Sequence, residues 1–241
     1  MHRFATKFLM TLLTLALCAG YVGGQETAVE ENTTGSVCYK DFQPQTAGKI
    51  REDIEWSITY SYGTLDNSLP RLLLIGDSIC NAYQNTVRDM LSGQINVSFW
   101  ASSECLTHPE YFRTLDLILD ANHYDYISFN NGLHSLGTDQ EEWSIAYDAA
   151  VRFIKAKCPD SKLFITNATP LKDPGLTEKS RQLNAIAQEV AAKYELPVID
   201  LFGLMDPLDR EEFWSDPFHY KQPGVQLQAT RIVEAITAPQ K

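Results

Sequence analysis

The chain has 241 residues, 44% of them hydrophobic and 21% charged, an ordinary globular composition that is long enough for one well-buried domain of catalytic size. Its formal net charge of −11 excludes the broad basic face that a phosphate backbone requires, so nucleic acid is not an expected partner.

Residues 1–24 read as a secretory signal: basic Arg3 and Lys7, an apolar run from Phe8 to Leu17, then small Ala19, Gly20, Gly23 and Gly24. The apolar run is well short of the roughly 20 residues that span a bilayer, so export is expected rather than an uncleaved membrane anchor. Cys18 leaves two processing outcomes open, lipidation of that cysteine as in bacterial lipoproteins or simple cleavage. Residues 25–48 are polar, rich in Glu and Thr and without periodicity, which reads as a flexible linker. The domain proper is expected over 49–241, with Ile50 to Tyr62 adding a helix or strand at an edge, anchored by Trp56.

From Arg71 onward apolar β-type runs alternate with amphipathic segments. The strand candidates are Leu72 to Ile75, Ile95 to Trp100, Tyr126 to Phe129, Leu163 to Thr166 and Val198 to Leu201. Helices are expected over Tyr83 to Leu91, Glu110 to Ala121, Glu141 to Ala156, Thr177 to Tyr194 and Val225 to Ile236. This alternation predicts an α/β fold, a five-stranded parallel sheet covered by helices on both faces. In such sheets ligands sit at the carboxyl ends of the strands.

Two patterns fall where that chemistry belongs. Gly76-Asp77-Ser78 closes the first strand candidate, so a serine occupies the turn into the next helix, where free N–H groups and a positive field favour a developing oxyanion. Alone, the same residues could be an ordinary helix cap. Asp216-Pro217-Phe218-His219 lies in a loop after the last strand. Its spacing lets the carboxylate fold back on Nδ1–H of the imidazole while Nε2 faces a hydroxyl. Together they nominate Ser78 as nucleophile, His219 as base and Asp216 as its orienting carboxylate.

With these residues in place the sequence resembles the SGNH (GDSL-like) hydrolase superfamily, exported bacterial type, from about residue 70 to the end. Gly76-Asp77-Ser78 matches the first block and Asp216/His219 the last. Ser128-Phe129-Asn130-Asn131 corresponds to the third, with Ser128 for the usual glycine and Asn131 for the usual aspartate. The resemblance implies a flavodoxin-like three-layer α/β/α fold. It also implies a serine esterase that hydrolyses small acyl esters, acetyl above all, on a carbohydrate through an acyl-enzyme, with no metal and no organic cofactor. The oxyanion would be held by the N–H groups of Ser78 and Asn130. A third donor is expected from the Trp100–Cys105 segment, which lacks the family's glycine; Ser103 is the nominee, with Ser102 the other choice.

Around this core lie residues with two readings. His134, four residues past Asn130, is either a rim contact to a substrate hydroxyl or a structural hydrogen-bonding group. Trp214 and Tyr220 flank the Asp–His block and are nominated as substrate contacts, while Trp143 and Phe218 read as core packing. Four cysteines, Cys38, Cys80, Cys105 and Cys158, remain after the leader, permitting two disulfides. A Cys80–Cys105 bridge would hold the two oxyanion-bearing loops in register; two free buried thiols are the alternative. The same serine, histidine and aspartate would equally serve a short-chain lipase, a thioesterase, a lysophospholipase or an acyltransferase to sugar hydroxyls. A non-catalytic glycan-binding module is the reading outside enzymes.

Overall fold

The computed structural model describes residues 37–45 and 52–239; the expected signal segment, Cys18 and most of the expected linker lie outside them. Alternation of apolar side chains builds a central sheet of six strands: β1 (Ser57–Ser61), β2 (Arg71–Gly76), β3 (Asn96–Ser102), β4 (Tyr126–Phe129), β5 (Lys162–Thr166) and β6 (Val198–Ile199). Their order is β1-β3-β2-β4-β5-β6. All neighbours are parallel except β1, which runs antiparallel to β3.

In β2, Leu72 to Ile75 are all buried, because successive residues face opposite sides and both sides are covered. Leu73 and Ile75 join Ile127 and Phe129 on the face packed by α2 (Pro109–Asp120), α3 (Gln140–Lys157) and α4 (Pro174–Lys193). Leu72 and Leu74 join Val97 and Phe99 on the other face, under α1 (Ser78–Met90), α5 (Leu201–Met205) and α7 (Gln222–Thr237). A short helix, α6 (Arg210–Phe213), precedes the last loop. The result is the expected three-layer α/β/α arrangement. Because β3 and β4 flank β2 on opposite sides, the connections diverge at the carboxyl end of β2 and leave a crevice there.

The sheet departs from expectation at both edges. It has six strands rather than five, since the segment after Trp56 forms an antiparallel edge strand whose residues are mostly exposed, too one-sided to read as a buried strand. At the other edge β6 stops at Ile199, because Asp200 caps α5, its Oδ1 accepting from the Gly203 N–H at 2.8 Å, and Leu201 is already helical.

Residues 37–45, which composition assigns to the linker, are docked instead. Val37, Tyr39 and Phe42 pack on the α2/α3 side, Phe42 lies 5.4 Å from the Phe153 ring, and Gln43 Nε2 donates to the Pro109 carbonyl. Three apolar residues within six positions outweigh the polarity around them.

The edge strand is fastened from within. The Arg71 guanidinium, buried at 6% exposure, donates to the carbonyls of Tyr62 (2.7 Å) and Gly63 (2.8 Å), and Trp100 Nε1 donates to Ser57 Oγ (2.8 Å). Arg71→Met strips the two carbonyls of their charged donor, so a loss of about 2–3 kcal/mol is expected in urea unfolding. An unchanged midpoint would show that β1 is held without it.

Candidate active site

The turn that carries Ser78 is set by its neighbours. At Gly76 any Cβ would lie 2.6 Å from Cys80 Cβ, so only glycine lets the first turn of α1 cross the strand end this closely. Asp77 is the N-cap, its Oδ1 accepting from the Ile79 N–H at 2.9 Å. Ser78 is the first helical residue, so its own N–H has no intrahelical acceptor.

The partner loop is equally determined. Trp214 and Tyr220 pair as an isolated antiparallel bridge, and the Ser215 N–H donates to the His219 carbonyl at 2.9 Å, which pinches residues 216–219 outward. Asp216 Oδ1 accepts from the N–H groups of Phe218 and His219, each at 2.8 Å. His219 Nδ1 lies 2.9 Å from Asp216 Oδ2, and Nε2 lies 2.9 Å from Ser78 Oγ. A carboxylate only accepts, so Nδ1 carries the proton and Nε2 is left to accept from the serine hydroxyl. Burial, the largest single influence, pushes the Asp216 carboxyl upward. The two backbone N–H donors and the imidazole outweigh it together, holding the group below its ordinary value and ionised. The three residues named from sequence thus meet in one hydrogen-bonded chain at the crevice beside β2.

The other nominated residues divide. Asn130 follows β4 directly, its N–H on the Ile75 carbonyl (3.0 Å), and its side-chain Nδ2 donates to the Thr166 carbonyl at 2.7 Å. It lines a small pocket with Asp77 and Ile79, the residues on either side of Ser78. An amide nitrogen has two hydrogens, so one remains beyond the Thr166 bond. Ser103 is corrected: its N–H donates to the Trp56 carbonyl at 3.0 Å and its Oγ accepts from the Trp56 N–H at 2.9 Å, because the pairing of β1 with β3 continues one residue past both strands. Its N–H is not available to an oxyanion.

Trp214 and Tyr220 are corrected as well. Both are buried, their rings 4.5 Å apart, and the Tyr220 hydroxyl donates to the Pro170 carbonyl at 2.6 Å. They shape the loop from beneath instead of facing a substrate.

The proposed Cys80–Cys105 bridge is absent; both thiols are free and buried. Cys80 lies in the core beneath Gly76, where burial raises its pKa, whereas the Cys105 sulfur is 3.0 Å from Thr107 Oγ1. The loops are tied instead by Asn131, whose Nδ2 donates to the Glu104 carbonyl (2.9 Å) and whose Oδ1 accepts from the Leu106 N–H (3.3 Å) and Ser135 Oγ (2.8 Å).

Ser78 and His219 open into a cleft of about 430 Å³. His134 lines it, and its Nδ1 bonds the Glu52 carboxylate, as the structural reading of this histidine expects. Trp56, edge-on to the His134 ring at 5.9 Å, and Phe218, 42% exposed, supply its aromatic surface. Sequence reading missed Glu52 and Leu133 and took Phe218 for core. Phe218 was legible in principle, since it sits between the paired Asp and His; Glu52 carried no signal.

A serine at the switch point of a doubly covered parallel sheet, bonded to a histidine from the last loop, defines a hydrolase of the three-layer α/β type. The chain belongs to the GDSL-like lipase/acylhydrolase family, whose model matches residues 57–227, and it is a carboxylic ester hydrolase. No curated protein sequence matches it. Among solved structures it is similar to a Slackia heliotrinireducens protein assigned to the SGNH hydrolases (16% identity, TM-score 0.58, 70% of this chain and 100% of that one). It is also similar to the acetyl xylan esterase AlAXEase (16%, TM-score 0.59, 69% and 99%). A catalytic mutant of the Geobacillus stearothermophilus acetylxylan esterase Axe2 shares the fold too (13%, TM-score 0.58, 70% and 94%).

Free thiols have a direct readout. Titration without reductant should find Cys80 and Cys105 silent in the native protein and both reactive once it is unfolded in urea; if neither reacts after unfolding, the bridge exists.

Proposed function

We propose that the protein is a serine esterase that removes short acyl groups, acetyl above all, from hydroxyls of a carbohydrate outside the cytoplasm. The observation that carries this reading is the continuous chain Asp216–His219–Ser78, with both hydrogen bonds near 2.9 Å, opening on a cleft at the sheet's carboxyl edge. The similarity to acetyl xylan esterases supports the acyl group and the polymer.

Ser78 Oγ attacks the ester carbonyl carbon while His219 Nε2 takes its proton. The carbonyl oxygen becomes an oxyanion beside the Ser78 N–H and the spare Asn130 Nδ2 hydrogen. His219, its new charge balanced by Asp216, returns the proton to the departing alkoxide and leaves an acyl-Ser78 ester. Water then attacks that ester, giving its proton to His219; the carboxylic acid departs and Ser78 regains its hydrogen. Export rests on residues 1–24, with Cys18 the site of any lipid anchor.

Hydrolysis of p-nitrophenyl acetate, butyrate and octanoate tests the reading. Acetate should be the best substrate with rates falling along the series, Ser78→Ala should abolish activity, and Asp216→Asn should lower kcat by roughly two to four orders of magnitude. Rates rising toward octanoate would favour a lipase, and equal rates for wild type and Ser78→Ala would refute the mechanism. Asn130→Ala should cost roughly two to three orders of magnitude in kcat with KM little changed. Full activity in that variant would remove Asn130 from the oxyanion hole.

A further inference from the structure

The part of the cleft that the triad does not occupy has a consistent charge. Among the described residues that line it, none is a lysine or arginine, and the one acidic member is Glu52, with 44% of its side chain exposed. The carboxylate is not loose: His134 Nδ1 bonds it across a separation of 82 residues, and His134 in turn rests against the Trp56 ring. Asp216, with 46% of its side chain exposed, adds a second negative charge beside the cleft, and the chain as a whole is acidic. The fold therefore presents a positioned anion, flanked by the aromatic faces of Trp56 and Phe218, within the same 430 Å³ that the nucleophile opens into.

We propose that the Glu52–His134 pair determines specificity by sorting leaving groups according to charge: it selects neutral, polyhydroxylated alcohols and disfavours anionic ones. The inference rests on the esterase reading above and deepens it. A carboxylate has two oxygens that only accept, which suits neighbouring sugar hydroxyls as donors, and the C–H faces of a pyranose ring suit the aromatic surfaces. A uronate, or an alcohol bearing a phosphate, would bring negative charge against Glu52 and Asp216, with no lysine or arginine among the described lining residues to compensate. Glu52 is a specificity residue and takes no part in the bond-making steps, while His134 positions it.

The test uses the full protein and three acetate esters: p-nitrophenyl acetate, an acetylated neutral xylooligosaccharide, and an acetylated glucuronoside as its free acid. In the wild type kcat/KM on the neutral sugar ester should exceed that on the uronate by roughly tenfold or more. Glu52→Gln should narrow the ratio by about tenfold, through KM and from both sides, raising it for the neutral ester and lowering it for the anion, with p-nitrophenyl acetate within about twofold of wild type. His134→Gln should shift the ratio in the same direction by less. An unchanged ratio in Glu52→Gln, or an equal fall on all three esters, overturns the proposal. A wild type that cleaves p-nitrophenyl acetate and neither sugar ester overturns it while leaving the esterase reading intact; a wild type as inert as Ser78→Ala on all three refutes that reading itself.

Discussion

The hydrogen bond between Ser78 Oγ and His219 Nε2 joins residues 141 apart in sequence, and most of the architecture serves to make that 2.9 Å contact possible. A parallel sheet brings the ends of distant strands to one edge, and the divergence of connections at β2 keeps that edge open. Each end of the contact is then aimed by its immediate neighbours. Ser78 depends on Gly76, which lets α1 start against the strand, and on Asp77, which caps it. His219 depends on Asp216 and on the buried Trp214–Tyr220 pair, which anchors the loop from beneath.

Polar tethers do the work that a covalent cross-link was expected to do. Asn131, nearly fully buried, makes two hydrogen bonds from the turn after β4 to the loop after β3 and a third to Ser135 within its own turn. A side-chain amide in that position donates and accepts at once, and its bonds do not depend on any oxidation step. The loops are consequently held in the same way whatever the redox state of their surroundings.

The layered fold and the three residues at its centre were legible because each has a periodic or positional signature: runs of Leu, Ile and Phe for strands, a serine at a strand end, a carboxylate three residues before a histidine. What escaped was set by tertiary pairing. Ser103 looked available until β1 took its N–H, and β1 looked ambiguous because only one of its faces packs. Trp214 and Tyr220 looked like rim residues because they flank the site in sequence, yet an antiparallel bridge turns both inward. The chain order of Glu52 gives no hint that it reaches a turn eighty residues on.

The family model begins at residue 57, immediately after the stretch that delivers Glu52 and Trp56 to the cleft. Ser78 and one wall of its cleft therefore belong to different parts of the chain, joined through the pairing of β1 with β3, the Trp56–Ser103 hydrogen bonds and the Glu52–His134 contact. Such a division is permissive for evolution: Glu52, ahead of β1 and exposed, can change without altering the Gly76–Ser78 turn or the Asp216–His219 loop. A lineage could thereby acquire new hosts for the same deacylation by altering a handful of residues at one margin of the molecule.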